Sequence, residues 1–242
     1  MGRKLLLGIT LIAGIVTPSA WPEAAARKPA GVTAFTPGWV RNEPTLRVEG
    51  RGVKLFKRVG RDHVSIRIEA KGDVVELQAD MSGKVRVGRQ GRFLDLQMKD
   101  SFEASIAKVQ KLTAGSAALD GLEGLVASMA GDDRQEARSV LTSYALLHAV
   151  RGSPAPTRAM VSALKPKTGG VTARASMSRE EVPSACWADY ASTVNNYMVE
   201  FSSCIDSYWW IPGWTSACAF QFSLQSELAF FWLISCSGGM PI

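Results

Sequence analysis

Apolar and polar residues alternate along the chain from about residue 45 to residue 98. The alternating runs are separated by short turn sequences such as Lys71-Gly72-Asp73 and Ser82-Gly83-Lys84. A period of two between glycine-containing turns is typical of antiparallel strands with one face in solvent. The pattern therefore predicts a β-meander of four to six strands. Its apolar positions include Leu46, Val48, Val53, Val64, Ile66, Ile68, Val75, Leu77, Ala79, Val85 and Val87.

The period changes to 3.6 residues after Asp100. Apolar residues from Phe102 to Leu112 recur at helical spacing, and they predict a helix that covers the dry face of the sheet. We expect a second helix around residues 119–126 and a third from Asp132 or Asp133 to Val150, because an aspartate is a good helix cap. Ser153-Pro154 favours the start of a short helix that reaches about Leu164. Residues 45–165 are thus predicted to form one α+β domain, with strands to about 98 and helices after.

The four cysteines lie in the last quarter of the chain, with steps of 18, 14 and 18 residues between successive ones. Eighteen residues make five α-helical turns, so the two cysteines of each 18-residue pair return to the same helical face. Two antiparallel helices with cysteines at matching ends can be joined twice, Cys186 to Cys236 and Cys204 to Cys218. Four cysteines allow three connectivities, and the nested one suits this geometry. Residues 184–242 are therefore predicted to form a disulfide-stapled antiparallel helical hairpin.

Two other interpretations of this region are a zinc site and a β-strand. A zinc site needs ligands in close pairs, which these cysteines lack, so no metal is predicted. Phe220, Phe222 and Leu224 alternate with polar residues, which would suit a strand. The run from Ser216 to Cys236 is long for a strand and contains no Gly or Pro, so a helix is the favoured prediction.

The first 26 residues predict a signal peptide. Arg3 and Lys4 precede a 12-residue run from Leu5 to Val16 that is apolar except for Thr10, and Ala24 and Ala26 form an A-x-A cleavage site. This run is too short to span a bilayer, and export explains paired cysteines. The protein is thus expected to be exported, to the periplasm, cell surface or medium. We further predict an extended lead-in at residues 27–44 and a linker at residues 166–183, which is the expected site of proteolysis.

Charge is distributed unevenly within a net charge of +6. No Lys or Arg occurs from Val182 to Ile242, whereas basic residues are frequent on the predicted sheet. A basic sheet could bind an anionic partner outside the cell. Acidic residues are interspersed with the basic ones, which favours a solvated mixed surface, and no specific nucleic-acid binding is predicted. The basic positions considered are Lys54, Lys57, Arg58, Arg61, Lys84, Arg86, Arg89 and Arg92.

Catalytic signals are sparse. The chain lacks the common zinc-protease, nucleophile-elbow, Walker and dinucleotide motifs, and no cofactor is predicted. His63 and His148 are assigned structural roles, and a charged His148 near the end of a helix would complement its dipole. Glu200 and Glu227 lie among aromatic residues, where the pKa of a carboxyl can rise. A hydrolase that uses one of them as an acid or base is the least favoured function.

The connection between the two predicted hairpin helices is rich in aromatic residues, namely Tyr208, Trp209, Trp210 and Trp214. They either fold back on the rest of the protein or form an exposed surface for a protein or membrane partner. The leading hypothesis is a non-enzymatic binding protein that uses the aromatic hairpin. The alternative is a proprotein, cut within residues 165–183, that releases a membrane-active peptide. Membrane-active peptides are usually cationic, and the C-terminal segment is acidic.

Overall fold

The computed structural model describes residues 31–41, 43–97, 102–129, 135–157, 184–208, 214–234 and 236. Seven strands form one antiparallel sheet in sequence order, and helices follow. The strands are β1 Val32–Val40, β2 Glu43–Gly50, β3 Val53–Val59, β4 His63–Ala70, β5 Asp73–Asp80, β6 Lys84–Arg89 and β7 Arg92–Gln97. The helices are α1 Phe102–Thr113, α2 Ala117–Ser128, α3 Gln135–Val150, α4 Ser184–Tyr208 and α5 Trp214–Ile234.

Two-residue turns connect several of the strands and set their register. In the turn Lys71-Gly72, φ is 50° at Lys71 and 78° at Gly72. Positive φ at both central residues is the geometry whose twist matches that of the flanking strands, and glycine adopts it without steric cost. The turn therefore places Ala70 opposite Asp73 and aligns the apolar positions of β4 and β5 on one face.

The sheet has one more strand than the largest number predicted. The additional strand is β1, which pairs with β2. Strand β1 lies inside residues 27–44, the range predicted as an extended lead-in. Pro37 lies within β1. A proline cannot donate a ladder hydrogen bond, so the edge position of this strand suits it.

Helices α1 and α2 cover the dry face of the sheet. Helix α1 packs against β6 and β7, and α2 packs against β3, β4 and β5. Ser116 caps α2 by accepting a hydrogen bond from the Leu119 backbone N–H. The buried side chains of Val109 and Leu122 complete this layer. The prediction of a meander covered by helices is confirmed.

Helices α4 and α5 form the C-terminal hairpin, and α5 lies at the centre of the packing. It contacts α4 on one side and α3, β3 and β4 on others. Phe222, Leu224 and Leu228 of α5 belong to the same buried apolar cluster as the strands. An apolar helix surrounded by protein is expected when its hydrophobic residues are not confined to one face. The segment is helical, so the strand alternative for residues 216–236 is wrong, and the predicted α+β fold with a helical hairpin is confirmed.

Candidate functional site

Two disulfides hold the hairpin at both ends. Cys186 is bonded to Cys236 with a Cα–Cα distance of 5.7 Å, and Cys204 is bonded to Cys218 at 6.0 Å. The predicted nested connectivity is confirmed. Cystine bridges of this kind persist in oxidising compartments, so they suggest an exported protein.

A groove lies between α4 and α5 beside the Cys204–Cys218 bridge. It has a volume of about 510 Å³. Its apolar lining includes Phe201 and Phe222, whose ring centroids are 5.1 Å apart, and Val199, whose side chain is 62% exposed. We call it the hairpin groove, and it is lined by Val199, Glu200, Phe201, Ser203, Cys204, Ser207, Cys218, Gln221, Phe222 and Gln225.

Glu200 is the charged residue of the hairpin groove, and the remaining polar lining is neutral. The other acidic residues described on α4, Asp189 and Asp206, are also exposed. The segment from Val182 to Ile242 has no Lys or Arg to balance them. The exposed surface of α4 therefore combines acidic side chains with the apolar side chain of Val199.

The aromatic residues predicted as a binding surface are only partly within the described chain. Trp209 and Trp210 lie outside the described residues. Tyr208 ends α4 and Trp214 begins α5, and the description of both is limited to the backbone. The Cys204–Cys218 bridge is the one nearer to this connection, so the hairpin groove lies at the same end of the hairpin. The aromatic surface stays a prediction.

The hairpin is attached to the sheet through a buried polar cluster. Lys57 of β3 donates from Nζ to Glu227 Oε2 of α5 at 2.6 Å, and its side chain is 1% exposed against 0% for Glu227. Lys57 also donates to Ser139 Oγ at 2.5 Å and to the Ser139 carbonyl at 2.9 Å. Ser143 completes the cluster by donating to Glu227 Oε1 at 2.9 Å.

Burial lowers the pKa of Lys57 below its ordinary value, and the adjacent Glu227 carboxylate opposes that shift. Each charged atom has partners within hydrogen-bond distance, which is the condition under which a buried ion pair is tolerated. Lys57 and Glu227 are 170 residues apart in sequence. The cluster therefore connects a strand near the start of the sheet with the last helix of the chain.

On the sequence alone, Lys57 is assigned to the basic residues on the solvent-exposed surface of the sheet, and this assignment is wrong. Lys57 follows Val53 and Leu55 at the inward positions of β3, and Val59 comes next. A lysine at an inward position of an alternating strand is a signal for a buried partner. The sequence does not identify that partner, because it does not show where α5 packs.

The two carboxyl groups considered as acid or base occupy different environments. Glu200 is exposed on α4 beside the hairpin groove. Glu227 is fully buried, and both of its oxygens accept hydrogen bonds. A general acid or base must reach a proton on the substrate. The buried carboxylate of Glu227 has no exposed surface with which to do so.

The solvent face of the sheet carries charges of both signs in pairs. Arg67 contacts Glu69 and Glu76, each at 2.7 Å. Further pairs are Arg47–Glu49, Arg58–Glu43 and Arg86–Asp95. A shallow depression of about 730 Å³ across β3 to β7 likewise combines basic and acidic residues. This arrangement fits a solvated mixed surface, and an anionic partner of the sheet stays a prediction.

Both histidines have neighbours in the structure. His63 lies beside Glu43 and Asp62 at 3.3 and 3.0 Å. Burial, followed by the nearby charge of Arg151, lowers the pKa of His148 to about 4, and its ring packs on Tyr144 with centroids 4.3 Å apart. His148 is therefore neutral at pH 7, and the expected interaction of a charged imidazole with the helix dipole is wrong.

Within the described ranges, His, Cys, Asp and Glu do not gather in any group of three that could hold a metal ion. Among the helices described, none combines the length and apolar character needed to cross a bilayer. Comparison with protein-family models, curated proteins and solved structures gave no match.

Proposed function

We propose that this protein is a non-enzymatic binding protein whose site is the hairpin groove. The observation that carries this proposal is the exposed apolar side chain of Val199 at a groove of about 510 Å³, whose lining also includes the largely buried rings of Phe201 and Phe222. A concave surface that combines exposed apolar and polar groups is typical of an interaction site. Its length along two antiparallel helices suits an extended or helical segment of another protein.

The partner is expected to combine apolar side chains with basic residues. The exposed charges described on α4 are acidic, and Glu200 lies at the groove itself. Opposite charges across an interface increase the association rate and select partners. An anionic lipid surface would instead be repelled by this face. We therefore favour a cationic, amphipathic protein segment over a membrane.

The disulfide beside the groove supports this function. The Cys204–Cys218 bridge joins the two walls of the groove and limits their separation. A site that is already rigid loses less conformational entropy when a partner binds. The staple thus favours binding as well as stability.

The proposal is tested with two synthetic amphipathic helical peptides that share the same apolar residues. One carries lysines on its polar face and the other carries glutamates. We expect the lysine peptide to bind more tightly and to shift the backbone amide NMR signals of α4 and α5 around the groove. Equal binding of both peptides, or shifts confined to other elements, would contradict the proposal.

Matched variants localise the binding. Val199→Lys removes an apolar contact and adds a positive charge, which repels the lysine peptide. Asn195→Lys adds the same charge at an exposed position outside the groove lining. We expect Val199→Lys to abolish detectable binding and Asn195→Lys to have a small effect. Glu200→Gln should weaken binding of the lysine peptide by up to about fivefold, because exposed charge pairs contribute little.

A proprotein is the second candidate, because the packing of α5 would shield an apolar segment before release. Phe222, Leu224 and Leu228 of this apolar helix are covered by the rest of the chain, as a hydrophobic segment held for later release would need to be. The mass of the secreted product discriminates between the candidates. A single chain ending at Ile242 supports the binding protein, and a species of about 60 residues that begins in the 165–183 segment supports the proprotein.

A further inference from the structure

We infer that the sheet and helices of residues 31–157 form a receptor surface for the hairpin, so that the hairpin stays bound after the chain between residues 157 and 184 is cut. The partner of this surface is the C-terminal piece that cleavage produces, which contains α4 and α5. The inference concerns the packing of α5 on α3 and the sheet, and it does not depend on the binding of a partner at the hairpin groove.

The apolar part of the interface is continuous with the core of the sheet. Helix α5 packs on α3, β3 and β4. Phe222, Leu224 and Leu228 are at most 6% exposed and share one buried cluster with Leu55 and Ile66. Burial of each large apolar side chain favours association of the two pieces, and the cost of ordering them opposes it.

The polar part of the interface makes the docking specific. Lys57 meets Glu227 at 2.6 Å, Ser139 lies against the ammonium group and Ser143 against the carboxylate. A second hydroxyl contact, Thr157 to Ser223 at 3.3 Å, also joins the two parts. A shifted position of α5 would leave a buried charge without a partner, which is strongly unfavourable.

The described disulfides do not cross this interface. Both bridges lie inside the hairpin, with sequence separations of 50 and 14 residues. A cut between residues 157 and 184 therefore leaves two pieces joined only by non-covalent contacts. The hairpin piece would itself keep its fold constrained by two cystines.

The test uses the full chain with a site for a sequence-specific protease inserted between Gly170 and Val171. The folded protein is cleaved without reduction, and the cut is verified by intact mass. Size-exclusion chromatography at about 1 μM protein then separates a complex from free pieces, because a complex with a submicromolar Kd stays associated at that concentration. We expect both pieces to elute together with the volume of the uncut protein. Separation of the wild-type pieces would overturn the inference.

Variants of the buried pair test its specificity. Glu227→Gln leaves the Lys57 ammonium without a carboxylate, and we expect the Kd between the pieces to rise about 10²- to 10³-fold. Lys57→Met combined with Glu227→Leu removes both charges and should restore association to near the wild-type level. Unchanged association in Glu227→Gln would overturn the role of the pair.

A milder variant keeps the test decisive if Glu227→Gln does not fold. Ser143→Ala removes the hydrogen bond to Glu227 Oε1 without removing a charge. Hydrogen bonds to charged groups are stronger than neutral ones, so we expect the Kd to rise about tenfold or more. An unchanged Kd would contradict the inference. Loss of peptide binding at the groove with intact association would count only against the proposed function.

Discussion

Removing the two disulfides separately should have different effects on stability and on binding. The variants are Cys186→Ala with Cys236→Ala, which removes the outer bridge, and Cys204→Ala with Cys218→Ala, which removes the inner one. Alanine is used because Cys186 and Cys218 are buried, and a serine hydroxyl there would need a new partner. Each bridge is expected to stabilise the folded protein by restricting the conformations of the unfolded chain.

The magnitudes follow from the sequence separations of 50 and 14 residues. Loop-closure entropy gives about 4 kcal/mol for a 50-residue loop and about 3 kcal/mol for a 14-residue loop. With the inner bridge intact, the outer one still closes a loop of about 36 residues, so its contribution stays at about 4 kcal/mol. The free energy of unfolding should therefore fall more when the outer bridge is removed.

Binding should follow the opposite order. Cys204 and Cys218 line the hairpin groove, whereas the outer bridge joins the far ends of α4 and α5. We expect removal of the inner bridge to weaken lysine-peptide binding strongly and removal of the outer bridge to leave it nearly unchanged. Urea unfolding gives the stability order, and peptide titration at low temperature gives the binding order.

Two results would refute this reasoning. A larger loss of stability from the inner bridge would show that native packing, and not the constraint on the unfolded chain, determines the contribution of each cystine. Equal loss of binding in both variants would show that the groove is not localised beside Cys204–Cys218. The uncut, unreduced wild type is the reference for both measurements.

Two further predictions concern titratable groups. The pKa of His148 in the folded protein is lowered to about 4, so the unfolded state takes up a proton first as the pH falls. The free energy of unfolding should therefore fall by up to about 3 kcal/mol between pH 6.5 and pH 4. Solvent access to the half-buried ring makes the loss smaller than this limit. His148→Gln should flatten the dependence of urea unfolding on pH in that window, and an unchanged slope would contradict the assignment. Burial of Asp73 opposes ionisation, but hydrogen bonds from Ser116, Arg89 and the Ala118 N–H outweigh it and lower its pKa. Its stabilising effect is therefore present above the ordinary pKa and lost as the pH falls below it, and Asp73→Ala should reduce the free energy of unfolding at pH 7 by about 2–3 kcal/mol, measured against Asp120→Ala at an exposed position of α2.

Local patterns were sufficient to predict most of the fold. The alternation of apolar residues identifies β4 and β5 because one face of each strand is buried and the other is in solvent. The 18-residue cysteine steps predict the pairing because helical periodicity returns both cysteines to one face, and antiparallel helices bring matching ends together. Strand β1 was not predicted, since Pro37 and Gly38 interrupt its pattern.

The relation of the hairpin to the sheet could not be predicted from local patterns. Lys57 and Glu227 each stand in an apolar pattern, so each signals a buried partner. Their separation of 170 residues gives no periodicity by which to match them. The hairpin groove also required the structure, because its lining comes from two helices whose facing sides are set by packing and by the cystines.

The docking of α5 has a consequence for either proposed function. Phe222, Leu224 and Leu228 are buried in the interface that also holds the Lys57–Glu227 pair. Cleavage of the connecting segment would by itself leave these residues covered, because no covalent bond is needed to keep the buried contacts. A proprotein would therefore need a second step that separates the pieces, and that step would have to expose two charges that are paired in the core. The binding protein needs no such step, since exposed residues such as Val199 and Glu200 line its groove. The packing of α5 on α3 and the sheet is thus the physical reason to favour binding over release.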